Sequence, residues 1–229
     1  MDTMHLLLKW GHIVAMVYWL GGEWGVFQTA YHVTNPRLSL EERKRHMETA
    51  YRIDILARTG IIMLLPLGLH MGYNFGVQPL GGSFITLVWL LTAAWLSLTW
   101  MAFVKRETDT GIRLTLWDER IRYVLIPLLA GLAIWSFIAK DGPLGGPEGA
   151  WSAWYPAKVF LFSITLVIGL VLRFVMRHWT MIFRQLAAGG PREELEARLN
   201  KEIGTARKLA YVYWVTILTI AYIGVAKPF

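Results

Sequence analysis

Phe84-Ile-Thr-Leu-Val-Trp-Leu-Leu-Thr-Ala-Ala-Trp-Leu-Ser-Leu-Thr-Trp-Met-Ala-Phe-Val104 carries no charge along its whole length. About twenty residues at 1.5 Å rise cover roughly 30 Å, the thickness of a bilayer's hydrocarbon core. Lys105 and Arg106 close the run at one end and Gly81-Gly82-Ser83 at the other. Comparable apolar blocks recur along the chain and predict spans at about 4–32, 54–77, 84–104, 121–139, 155–178 and 208–227. The expected fold is all-α, a polytopic membrane helix bundle of about six transmembrane helices forming a single transmembrane domain over residues 1–229.

Composition agrees with lipid as the solvent. Of 229 residues, 55% are hydrophobic and only 17% charged, 12 are Trp, and the mean hydropathy is +0.41. A soluble domain would spread its apolar residues in periodic stripes rather than gather them in long blocks. The formal charge of +7 is a matter of topology, because the basic residues cluster in alternate connections. Arg37, Arg43, Lys44, Arg45 and Arg52 precede the second span, Lys105, Arg106, Arg113 and Arg120 the fourth, and Arg184, Arg192, Arg198, Lys201 and Arg207 the sixth. Those loops are expected in the cytoplasm, the Gly- and Pro-rich connections 78–83 and 140–154 outside, and both termini outside, in a bacterial inner membrane. Nucleic acid is not expected as a partner. The first apolar stretch carries His12 and Glu23 and lacks a small-residue cleavage site, so it is expected to remain as a helix.

Local signals refine this plan. Ser39-Leu-Glu-Glu42 has the form of a capping box, and Pro191-Arg-Glu-Glu-Leu-Glu196 places Pro and acids in a first turn. Both predict short surface helices between spans. Pro-Leu-Gly-Gly occurs in both outer connections, at Pro79–Gly82 and Pro143–Gly146. Trp151, Trp154, Tyr155 and Trp179 flank the fifth span as interfacial aromatics do.

Cysteine is absent, which excludes disulfides, thiolate metal sites and thioether-bound haem. Any metal must be held by His, Met, carboxylate or carbonyl. Ionisable residues at membrane depth are the strongest functional clue, and here they are His12, Glu23, Arg58, His70 and Arg173. His12 and His70 each lie roughly 12 Å below the outer ends of their spans, so two imidazoles on neighbouring helices could supply both axial positions of a haem b. Gly68, Gly72 and Gly76 flank His70, and Gly21 with Gly25 repeats that spacing in the first span, opening strips for a macrocycle or for another helix. His5 shares the His12 face, and His32, His46 and His178 fall at the cytoplasmic boundary. Glu23 could pair with Arg58, or Asp54 could do so four residues away on the same helix.

Leu8-Lys-Trp-Gly-His12-Ile-Val-Ala-Met-Val-Tyr-Trp19-Leu-Gly-Gly22 resembles the opening helix of the HemJ and CopD membrane proteins, with His, then Trp two turns later, then Gly. Trp154-Tyr-Pro-Ala-Lys158 is similar to the start of a later HemJ helix, and Gly224-Val-Ala-Lys227-Pro-Phe229 to its terminus. The first-span pattern also resembles the membrane domain of bacterial urate oxidases. The HemJ resemblance implies a haem b-binding membrane oxidoreductase or electron-transfer protein, with His12 as the haem-associated histidine and Lys158 as the functional, catalytic lysine. The CopD resemblance implies instead a copper transport protein using His5, His12, Met16 and His70. A third reading is the membrane anchor subunit of a dehydrogenase. The expected partners are membrane lipid, a quinone or redox protein, and a second copy of the chain in a homo-oligomer.

Overall fold

A computed structural model of the chain describes residues 3–106, 108–140, 142–146 and 151–228. Its regular elements are six helices: α1 (Thr3–Val33), α2 (Leu40–Asn74), α3 (Ser83–Val104), α4 (Asp109–Ala139), α5 (Trp154–Ala187) and α6 (Arg192–Ala226). Five of them, α2 to α6, are long and apolar enough to cross a membrane. α1 is 31 residues long, and its exposed face is lined by Leu6, Leu7, Trp10, Ile13, Val17 and Trp24. Water would not tolerate a stripe of that kind, and lipid would. The protein is therefore an all-helical, multi-pass membrane bundle.

The capping box forms as predicted. Ser39 Oγ accepts from the Glu42 amide at 3.2 Å, and a Glu42 carboxylate oxygen accepts from the Ser39 amide at 3.0 Å. The Ser39 hydroxyl also donates to the Glu42 carboxylate at 2.8 Å, and this bond together with the one from the Ser39 amide holds the carboxyl below the usual carboxylate range. The helix it starts is not a separate surface helix, because no Gly or Pro interrupts the chain from Leu40 until Gly60, and α2 runs on into the membrane. The acidic turn after Pro191 likewise opens α6 itself. Both surface helices expected from sequence are the basic ends of long, membrane-spanning helices. α4 also begins earlier than the apolar block, at a Thr108 cap whose hydroxyl accepts from the Gly111 amide at 3.2 Å.

Each helix packs against the next in chain order, α6 closes on α1, and α2 touches α5 across the middle. The α2–α5 contact divides the ring into one compartment bounded by α1, α2, α5 and α6 and another bounded by α2, α3, α4 and α5. α1 and α2 make the closest crossing: Gly22 lies on Ala57, and Gly60 lies on the backbone of Ala15 and Trp19, where a Cβ would stand 2.8 Å from the Trp19 nitrogen. Small residues let the two backbones approach where lipid provides no hydrophobic drive. On the outer side the two Pro-Leu-Gly-Gly connections meet, the Gly145 amide donating to Val77 O at 2.7 Å.

The extensions at the basic end have a core of their own, which includes Val33, Met47, Phe183, Leu195 and Leu199. Arg43 lies inside it at 1% exposure. Its Nε donates to Val33 O at 2.8 Å, and its two terminal nitrogens donate to Glu196 at 2.5 and 2.8 Å. One guanidinium thus joins the ends of α1, α2 and α6 while lying over the Phe183 ring of α5.

Candidate functional site

Residues 8, 12, 15, 19 and 22 of α1 recur at three- and four-residue intervals and face the bundle interior. His12 on this stripe packs against α2, where a Cβ on Gly68 would stand 3.6 Å from Cε1 of the ring. Its Nδ1 is buried and has no hydrogen-bond partner among the described residues. Two turns on, Trp19 is 2% exposed and donates from Nε1 to the Tyr213 hydroxyl at 3.0 Å. Tyr155, from the start of α5, fills the space over Gly72 and donates to Gly68 O at 3.3 Å. Lys158, one turn further, lies against Gly224 of α6, in space a side chain there would take. It is near enough to His12 and to Lys227 for the charges to interact. It makes no ion pair among the described residues, while Lys227 lies over the Phe75 ring at 4.0 Å.

The first compartment therefore gathers His12, Lys158 and the Gly224–Lys227 terminus on its outer side. His70 is elsewhere. It is two residues beyond Gly68, about 200° around α2, and its Nδ1 accepts from Trp89 Nε1 of α3 at 3.4 Å, in the second compartment. The two imidazoles expected to face each other across one gap instead lie on different faces of α2. The glycine strip is not an open slot either: His12 and Tyr155 occupy it, Gly21 faces open space, and Gly76 lies in the turn after α2 at φ +70°. A haem bridged between His12 and His70 does not fit these residues. His12 alone has what a metal ligand needs, a buried ring nitrogen with nothing bound to it.

The other histidines lie apart from it. His5 meets the Phe75 ring edge-on at 4.8 Å, His32 stacks on His46 at 4.4 Å, and His178 lies 3.7 Å from Glu202. Among the described residues no three His, Asp or Glu side chains come together as a metal site. Trp154, Tyr155 and Trp179 are buried, at 7%, 5% and 3% exposure, so they are packing residues rather than the interfacial belt expected. The exposed aromatics are others, Trp10, Trp24, Trp100 and Trp117 among them.

A second polar region lies at the basic end. Asp54 pairs with Arg58, as one of the two sequence expectations had it, and Glu23 makes no ion pair among the described residues. Asp118, fully buried, accepts from Trp95 Nε1 at 2.6 Å, Thr99 Oγ1 at 3.1 Å, Arg122 Nε at 3.3 Å and Arg173. Glu119 pairs with Arg177. Asp118 and Glu119 were missed as interior residues of a spanning helix because the apolar block begins after them. The Thr108 cap and the i,i+4 pair Asp118–Arg122 are the signals that place them on the helix. Glu23, Asp54, Asp118, Arg173 and Arg207 each lie about twenty residues, or roughly 30 Å, from the outer end of their helix. They form one layer at the inner boundary of the hydrocarbon core, not at mid-membrane. Beside them α1, α2, α5 and α6, with Arg122 of α4, line a partly open cavity of about 70 Å³.

Compared with known proteins, the chain matches no family model, no curated protein and no solved structure.

Proposed function

We propose that this chain is an integral membrane oxidoreductase or electron-transfer protein of HemJ type in a bacterial inner membrane, working at His12 and Lys158. The observation that carries the reading is the buried, unpartnered Nδ1 of His12 beside the ammonium of Lys158. A buried imidazole nitrogen without a partner is costly, and a metal group bound there would remove the cost. Haem b, held through His12 alone, would supply one-electron chemistry. Trp19 and Gly22 fix α1 against α2, which holds the His12 ring on the interior stripe beside Gly68. Lys158 and Lys227 place two cations on the outer side of His12, a setting that favours an anionic cofactor or substrate group. The same cations disfavour CopD-type copper passage, since a bare metal cation entering from outside would have to pass them. A quinone or a redox protein is the proposed electron partner.

The visible spectrum and metal content of the detergent-purified protein test this reading. A Soret band with haem b at one equivalent is expected. Colourless protein with stoichiometric copper would support the transport reading, and colourless, metal-free protein would remove both.

A further inference from the structure

The acids of the inner layer are not held alike. Asp54 is paired with Arg58, Asp118 with Arg122 and Arg173, and Glu119 with Arg177. Glu23 makes neither an ion pair nor a hydrogen bond among the described residues, and it lines the inner cavity. Its side chain is half-buried, neither sealed by protein nor open to bulk solvent. The cavity, at about 70 Å³, has room for a few water molecules at roughly 15 Å³ each. Its wall is polar enough to hold them, because Asp54, Arg58, Arg122, Arg173 and Tyr213 line it together with Glu23.

The charged groups around Glu23 come from every neighbouring helix and are engaged elsewhere. Asp54 and Arg58 of α2 and Arg122 of α4 act on its charge, but Arg58 is held by Asp54, and Arg122 shares Asp118 with Arg173 of α5. Arg207 of α6 lies 3.8 Å over the Tyr31 ring and donates to Thr34 Oγ1 at 3.4 Å. The Tyr213 hydroxyl of α6 accepts from Trp19 Nε1, one turn before Glu23 on α1. An ion-paired carboxylate in a low-dielectric site is fixed as an anion, whereas a carboxylate without a direct partner is costly there and is free to take a proton. Glu23 is in the second position, with water as the partner that can reach it.

We propose that the inner cavity is a hydrated pocket in which Glu23 reversibly binds a proton. The step is an exchange with water: hydronium and carboxylate on one side, water and carboxylic acid on the other. An oxidoreductase working at His12 needs groups that take up or deliver protons, and that use of Glu23 rests on the function proposed above. The protonation itself does not, and its test needs no metal or cofactor, so the two readings fail separately. Infrared difference spectra of the purified full-length chain, recorded between pairs of pH values across the range in which the bundle stays folded, follow the carbonyl stretch of protonated carboxyls. A band that comes and goes reversibly with pH, shifts downward in D2O and is lost in Glu23→Gln is expected. Glu41→Gln, at an exposed surface pair, should leave that band in place. Ala206→Leu, which adds bulk to the cavity wall from α6, should slow the D2O shift. If Glu23→Gln does not fold, the response to Ala206→Leu decides. Absence of a band that depends on Glu23, or a D2O shift as fast in the cavity variant as in the parent chain, would overturn the proposal.

Discussion

The His12 ring and Gly68 are in ordinary van der Waals range, with 3.6 Å between Cε1 and the point a Cβ on Gly68 would occupy. The glycines around them are much tighter: a Cβ on Gly72 would stand 2.6 Å from Cζ of Tyr155, and one on Gly60 would meet the α1 backbone. Gly68→Ala should therefore be tolerated. Gly72→Ala and Gly60→Ala should each lose about 1–3 kcal/mol through overpacking. Denaturation midpoints of the three variants in mild detergent with added SDS check the order, and an equal loss in all three would contradict it.

Removing His12 should separate cleanly from removing His70. His12→Ala is expected to abolish any bound chromophore or metal, whereas His70→Ala costs only the Trp89 hydrogen bond and leaves the spectrum in place. Absorption spectra of the two purified variants, taken at equal protein concentration, decide the matter.

Asp118 holds two guanidiniums in a site with no exposure. Asp118→Asn keeps the shape and leaves Arg122 and Arg173 without their carboxylate, which should cost about 3–5 kcal/mol. Loss of folded yield is the expected outcome. Recovery of yield on adding Arg173→Gln would show that the uncompensated charge is the cause.

Glu196→Ala should strip the bidentate partner from Arg43 and cost a similar amount, about 3–5 kcal/mol, because the guanidinium stays buried. Arg43→Met combined with Glu196→Leu should restore most of it. Limited proteolysis at the start of α2 and of α6 reports the difference.

The α2 cap should respond to acid. Glu42 has its folded carboxyl lowered by the Ser39 hydrogen bonds, so its contribution is complete above the ordinary carboxylate range and disappears as pH falls through the lowered value. Helix protection at Ser39 to Arg43, followed by hydrogen exchange and corrected for intrinsic rates, should drop only at the acid end of that range. Ser39→Ala, which removes the hydroxyl and keeps the amide, should weaken the pH dependence.

Sequence patterning located the membrane blocks because length and apolarity act locally, and α3 begins and ends within a residue of its apolar run. It stopped short on α2, α4, α5 and α6 because hydropathy marks where lipid begins, whereas a helix continues until a cap or breaker stops it. The capping signals at Ser39 and Pro191 were read correctly as helix starts and assigned to the wrong helices. For the site, the heptad spacing of His12 and Trp19 put both on one interior stripe, and the terminal motif lies beside Lys158. Which way His70 points was beyond any depth argument. Matched depth on neighbouring helices fixes height and leaves rotation open, and two positions along α2 were enough to turn the ring into the other compartment. Asp118 and Glu119 depend on the same lesson, since their partners Arg173 and Arg177 come from another helix.

The charged layer about 30 Å from the outer ends makes the bundle a gauge of bilayer thickness. Thicker acyl chains would draw Asp118 and the guanidiniums around it into oil, and markedly thinner ones would leave the Leu- and Trp-lined flanks of α3 and α4 wet. Tilting one helix cannot relieve the mismatch, because the ion pairs tie α4 to α5. Such a protein should sort to membranes of one thickness, and there the lipids themselves become part of what keeps it upright.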